Sequence, residues 1–387
     1  MTEILPHRRM ILWMLHLTDE KNKYKQMKAN LNLGSVSGIK IIVHWTFFFL
    51  IVWIVFSELG RGGTTNSVLF NVALVLAVFV CVVLHELGHA LTAKRFGIDT
   101  KKITLLPIGG MATLERIPES PKQELLVTIA GPLVNIIIAI LLYYIVPVQD
   151  FIHLNFTESF EVLMSFTLKN FLFYLFIVNV GLVVFNLISA FPMDGGRILR
   201  ALLAMKMNRV KATQIASSIG QVLAVFFLLI GLLYNPFLIV IALFIFLGAY
   251  GENQIVQHLA LLKGHTVEDA MLINITTFSP NDAIDLVVNK IISGTETNFI
   301  VVKDHDIKGV LYHKDIIDNS NKNVLVKDVM DTTFKTVKHT DDLKEIYHIV
   351  FAEKKAFIPV LNQEKLVGVI DAANLNEYML LQAKLAY

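Results

Sequence analysis

The sequence predicts a polytopic α-helical membrane domain of six transmembrane helices, followed by a polar α/β tail. Three observations carry this. The 387 residues are 55% hydrophobic and 17% charged, with a mean hydropathy of +0.60, whereas soluble domains run about 45–50% apolar and ~25% charged. The long apolar runs fall almost entirely within residues 41–250 and approach the roughly 20 residues that cross a hydrocarbon layer. Residues 264–387 have ordinary polarity and contain an internal repeat. With Lys+Arg 34 against Asp+Glu 32, the net charge of +2 speaks against a nucleic-acid partner. A lone cysteine, Cys81, excludes intramolecular disulfides and cysteine-based zinc clusters.

Residues 1–33 form a basic N-terminal segment. Its apolar stretch Met10–Leu17 is short, contains His16 and precedes DEKNKYKQMK, so it does not read as a secretory signal. An amphipathic surface segment and a basic arm are the two readings. The membrane domain, 34–256, offers six spans: Ile41–Ser57, Val68–Ala93, Leu125–Val146, Asn170–Ser189, Thr213–Tyr234 and Pro236–Tyr250. The last two meet at Asn235-Pro236, and the shortness of the sixth leaves a buried helical hairpin as the alternative. Segment 1–40 and the loops after spans two and four carry many Lys and Arg, whereas the opposite side shows Arg61 and Lys169. This asymmetry predicts a multi-pass protein with both termini cytoplasmic, and a prokaryotic cell membrane is the expected location. Lys40 reads as a side chain snorkelling at the start of span one. Leu105–Met111, apolar but Gly- and Pro-rich, reads as a re-entrant hairpin or edge strand, with a surface loop as the alternative.

In the tail, Val267-Glu268-Asp269-Ala270-Met271 returns as Val326-Lys327-Asp328-Val329-Met330, and Lys308-Gly309-Val310 as Val367-Gly368-Val369. Each copy reads as a short helix, a strand, an amphipathic helix, a β-hairpin and a closing helix. The two copies, 264–320 and 321–387, resemble a CBS-domain pair. That family often binds adenine nucleotides, its ribose gripped by a hydroxyl-x-x-Asp motif. Copy one keeps the aspartate in Tyr312-His313-Lys314-Asp315, whereas copy two, Asp371-Ala372-Ala373-Asn374, loses both residues. Asp315 is therefore the candidate nucleotide contact, against a structural pair without ligand. CBS pairs often dimerise, which makes a homodimer through this pair a further expectation.

Polar groups inside hydrocarbon are expensive and default to a functional reading. The strongest cluster is His85-Glu86-Leu87-Gly88-His89 at the end of span two. His85 and His89, at i and i+4, share one helix face and can offer two imidazole nitrogens to a tetrahedral zinc. Glu86 lies about 100° round the helix, beside the metal, where it can take a proton from water. Catalytic zinc usually has three protein ligands. Pro192 and two glycines in Phe191-Pro192-Met193-Asp194-Gly195-Gly196-Arg197 break the helix at the end of span four and offer Asp194 at a similar depth. A chance HExxH and an ordinary turn are the bland alternatives. Cys81, one turn before His85, reads as apolar packing.

These residues resemble the site-2 protease family of intramembrane zinc metalloproteases (peptidase M50), in the branch with C-terminal CBS domains. The resemblance covers 34–252 through HELGH, Pro192-Met193-Asp194-Gly195, Gly131-Pro132-Leu133-Val134-Asn135 and Ser35–Thr46. It implies one zinc per chain held by His85, His89 and Asp194, with Glu86 as general base. It places Asn135 near the site as a substrate or oxyanion contact, and it points His44 at the active-site chamber, with a hydrogen-bonded interfacial His as the alternative. It implies hydrolysis of a peptide bond in a transmembrane protein substrate near the cytoplasmic interface, as in regulated intramembrane proteolysis, with the CBS pair as regulator. The rival classes are a CBS-gated metal or ion transporter, which has no need of Glu86, and an inactive scaffold relative.

Overall fold

The computed structural model describes residues 30–107, 109–114, 118, 120–148, 166–320, 323–352 and 357–385. Met10–Leu17 and the rest of 1–29 lie outside the described residues. The chain divides into two compact units, Met1–Glu252 and Asn253–Tyr387.

The first unit opens with a sheet. Strands β1 (Asn30–Val36) and β2 (Ile39–His44) form an antiparallel hairpin. Its turn places Ser37 (φ 53°) and Gly38 (φ 88°) in the left-handed region, as a tight two-residue hairpin requires. β2 runs parallel to β3 (Thr100–Leu106), which pairs antiparallel with β4 (Gly109–Leu114), giving the order β1-β2-β3-β4. The segment 105–111 thus runs from the end of the inner strand β3 into edge strand β4; Ile108 is outside the described residues.

This sheet corrects the first span. Ile41–His44 is strand, and the helix that follows, α1 (Phe47–Gly60), has only 14 residues. At 1.5 Å per residue it is about 21 Å long, short of ~30 Å of hydrocarbon. In β2 the side chains alternate: Ile39, Ile41 and Val43 are buried and Lys40 is exposed. Lys40 therefore sits on a strand and does not open a helix. Ile39 and Val43 join Phe47, Phe79, Leu87 and Ile103 in one core. A continuous β-branched run leading into an apolar helix reads as one long helix when periodicity is the guide.

Among the described residues, five helices are long and apolar enough to cross a membrane: α2 (Thr65–Arg95), α3 (Pro121–Ile145), α4 (Leu168–Asn186), α6 (Arg209–Leu233) and α7 (Phe237–Leu261). The six-span count is corrected to these five plus the short α1. The sixth run, expected to be short, extends to 25 residues. Between α4 and α6 lies the 11-residue α5 (Asp194–Ala204). α2 is capped by Thr64, whose side chain accepts from Ser67 N, and α6 by Asn208, which accepts from Lys211 N.

The outward faces are apolar: Phe56 is 71% exposed, Leu233 75% and Tyr144 82%. An aqueous surface does not tolerate so continuous an apolar cover, and lipid does. Inside, small residues bring helices together. A Cβ on Gly88 would lie 2.7 Å from the Ala130 carbonyl oxygen, and one on Gly248 2.6 Å from Pro192 Cδ. The protein is an integral membrane protein.

The second unit contains two three-stranded sheets of the same topology. β5 (Thr277–Phe278) is parallel to β6 (Phe299–Lys303), which is antiparallel to β7 (Asp306–Leu311); β8 (Val337–Lys338), β9 (Phe357–Asn362) and β10 (Lys365–Asp371) repeat the pattern. The amphipathic helices are α9 (Ile284–Ser293) and α12 (Leu343–Ala352). The short leading helices α8 (Val267–Ala270) and α11 (Val326–Val329) are exchanged. Val267 and Ala270 are buried with Leu343, Val360 and Ile370 of the second copy, and Val326 with Ile284 and Val301 of the first. Backbone bridges Leu272–Val369 and Val310–Asp331 complete the exchange. Neither copy closes its core without the other. The helices α10 (His313–Ile317) and α13 (Ala372–Leu385) follow the hairpins.

Candidate active site

α2 carries His85, Glu86 and His89, and α5 begins at Asp194. Packing of both helices on α3 brings these residues together, although 105 positions separate His89 from Asp194. Asp194 Oδ2 lies 3.2 Å from His85 Nε2 and 3.2 Å from His89 Nε2, and the two Nε2 atoms are 3.1 Å apart. Among the described residues, this is the one group of three His, Cys, Asp or Glu side chains able to hold a metal ion.

Two observations test the fit to a metal. His89 Nδ1 faces the Val127 carbonyl oxygen at 2.8 Å, so Nδ1 carries the proton and the Nε2 lone pair points into the cluster. The space before the nitrogens is kept open by Gly131: a Cβ there would collide with His89 Nε2 and lie 2.8 Å from His85 Nε2. A two-imidazole, one-carboxylate set with an open side suits a borderline metal such as zinc.

Glu86 lies beside this group. Its Oε2 accepts from Ala112 N of β4 at 3.2 Å. Gly110 makes room for it, since a Cβ there would be 2.8 Å from Glu86 Cγ. Asn135 follows Gly131 by one turn of α3 and is fully buried, and both its amide atoms lack partners. His44 Nδ1 lies 2.7 Å from Thr46 Oγ1, and no described hydrogen bond or ion pair joins His44 to the cluster. Cys81 is buried outside the group, 3.4 Å from Asn179 Nδ2.

Sequence reading missed a second buried polar cluster. Arg200, on α5, bonds Glu124 of α3 through Nε (2.8 Å) and Nη2, and Glu252 of α7 through Nη1. Arg209 Nη2 approaches Glu124 Oε2 at 3.2 Å. By spacing Arg200 is only one of the charges in the loop after span four, and its two carboxylate partners, 128 positions apart, leave no spacing signal. In the second unit, a cleft of about 160 Å³ is lined by Tyr312, Thr333, Lys335 and Phe357 among others, and Asp315 is not among its walls.

Residues 73–231 match peptidase family M50 and residues 326–381 the CBS domain. A zinc metalloprotease of Methanocaldococcus jannaschii is 35% identical over 350 residues, 90% of this chain and 96% of the relative. Stage IV sporulation protein FB of Bacillus subtilis is 32% identical over 138 residues, 35% of this chain and 42% of its own length. Among solved structures, a site-2 protease from Methanocaldococcus jannaschii is 41% identical, covering 58% of this chain and 95% of its own, with a TM-score of 0.42. The chain therefore belongs to peptidase family M50, the site-2 metalloproteases, and carries C-terminal CBS domains.

Proposed function

We propose that this protein hydrolyses a peptide bond of a transmembrane protein substrate near the cytoplasmic interface, as a step of regulated intramembrane proteolysis, in a prokaryotic cell membrane. The observation that carries this is the cluster of His85, His89 and Asp194 with Glu86 alongside, buried at the end of a membrane helix. One zinc ion per chain would be held by His85 Nε2, His89 Nε2 and an Asp194 carboxylate oxygen. Bound there, zinc supplies Lewis acidity that polarises the scissile carbonyl and brings a water's pKa toward ~7. The Lys and Arg in the loops after spans two and four support a cytoplasmic placement of this end and of both termini.

Glu86 acts as the general base. Its Oε2 is anchored by the Ala112 amide, which leaves Oε1 to receive the proton of the attacking water. The same carboxyl then gives that proton to the departing amine nitrogen. Asn135 offers its unpartnered amide to the substrate carbonyl as oxygen charge develops. The helix of a substrate must unwind to expose a carbonyl, and edge strand β4 can receive the extended segment by strand addition. The amide that anchors Glu86 lies on that same strand, which sets the scissile bond beside the base. His44 is kept as a gate or substrate contact at the mouth of the chamber, although its bond to Thr46 equally suits an interfacial role.

The second unit is assigned the regulatory part. An adenine nucleotide at the CBS pair, with Asp315 as ribose contact, and dimerisation through the pair are the two inputs. The decisive test is cleavage of reconstituted single-span substrates by the full chain in liposomes, before and after chelation and zinc return. Chelation should abolish cleavage and zinc restore it. Ion flux without cleavage would favour the transporter class.

A further inference from the structure

The Arg200 cluster asks for an explanation that packing alone does not supply. Arg200 and Glu124 are 1% and 3% exposed. Burying such charges is costly, and apolar replacements of similar volume are often as stable, so the cluster is not explained by stability. Its geometry is specific. The guanidinium fork holds Glu124 of α3 on one edge and Glu252 of α7, at 2.5 Å, on the other. Its Cζ lies over the Phe191 ring, 5.0 Å from the centroid. Phe191 is fully buried in the segment that leads into Asp194.

α5 has 11 residues, too few to hold its own position. Asp194 is its first residue and Arg200 lies six further on, about 9 Å along the axis. Between them Gly195 and Gly196 press directly on the chain before the helix: a Cβ on Gly196 would lie 2.6 Å from Ala190 C. α3 is the shared frame. Its residues 124, 127 and 131 fall on one helical face. Val127 holds His89, Gly131 faces both imidazoles, and Glu124 holds Arg200. One face of one helix thus carries both halves of the cluster.

We infer that Arg200, clamped by Glu124 and Glu252, is a positioning residue that sets Asp194 against His85 and His89 and so sets metal affinity and coordination. This rests on the reading of Asp194 as a metal ligand. Lysine at 200 keeps the charge but loses the fork, because an ammonium cannot hold both carboxylates and lie over Phe191. The test uses the full chain in detergent, with zinc affinity read by chelator competition and coordination by the visible absorption of the cobalt(II) form. Arg200→Lys should weaken zinc about 10–100-fold and alter the cobalt bands. Glu252→Gln should move both readouts in the same direction by less. Ser217→Ala, which removes a hydrogen bond of 2.7 Å to the Ala249 carbonyl, should lower thermal stability and move neither. If Arg200→Lys fails to fold, Glu252→Gln decides. Wild-type affinity and spectrum in Arg200→Lys and Glu252→Gln, with zinc lost in Asp194→Ala, would overturn the clamp alone. Wild-type zinc binding in Asp194→Ala would overturn the ligand reading and the clamp with it.

Discussion

Gly131→Ala offers a direct test of the metal cradle. The added methyl would overlap His89 Nε2 and come within 2.8 Å of His85 Nε2. Ordinary contact begins near 3.4 Å, so the imidazoles must retreat by about 0.6 Å or more. His89 cannot swing freely, because Nδ1 is held by the Val127 carbonyl at 2.8 Å, and breaking that bond costs about 1 kcal/mol. The methyl also occupies the side from which the ion meets both nitrogens. A misplacement approaching 1 Å costs on the order of 100-fold, or about 2.7 kcal/mol. The helix itself should gain, since alanine is favoured over glycine in a helix interior by about 0.5–1 kcal/mol. The expected result is a folded protein, with melting temperature equal to wild type or higher, whose zinc affinity falls at least ~100-fold and whose cleavage falls with it. Zinc content by elemental analysis across a chelator series, read beside thermal unfolding, measures both. A Gly131→Ala protein that binds one zinc with wild-type affinity would refute the reasoning.

Three further outcomes are expected. Glu86→Gln should keep zinc while cleavage drops about 10²–10⁴-fold, the usual worth of general acid–base catalysis; residual activity near wild type would remove Glu86 from the base role. Asn135→Ala removes an amide whose atoms have no partners, so unfolding should change little while kcat falls about 10²–10³-fold, and an unchanged kcat would exclude the oxyanion contact. Leu343→Ala empties a fully buried site shared by α12, the exchanged Val267 and β9, and should destabilise the second unit by about 2–5 kcal/mol in calorimetry; a loss below ~1 kcal/mol would contradict the exchanged packing.

The residues of the cluster were legible because they are written locally. An i, i+4 histidine pair with an intervening glutamate declares a helix face with a carboxylate beside it, and a Pro-Gly-Gly break declares where a helix stops and an aspartate is offered. The tail repeat was legible for the same reason, as two similar runs of strand and helix signals. Span one was misread because its β-branched run is apolar whether it forms a strand or a helix, and only its sheet partners distinguish the two. Pro236–Tyr250 reads as ending two residues before Glu252, yet the helix continues through that charge, where Arg200 pairs with it.

Membrane class and the clustered polar residue types can therefore be read from short stretches, since composition, helical periodicity and ligand type are local properties. What lies between distant stretches comes only from the folded chain. It set Asp194 3.2 Å from both histidines, cleared the cradle with Gly131, aimed the β4 amide at Glu86 and buried Arg200 between two glutamates. It also exchanged the leading helices of the tail. Each of these is a close approach between segments far apart in the chain, and the physical reason is the same throughout: a contact's energy depends on distance in space, which residue spacing along the chain does not carry.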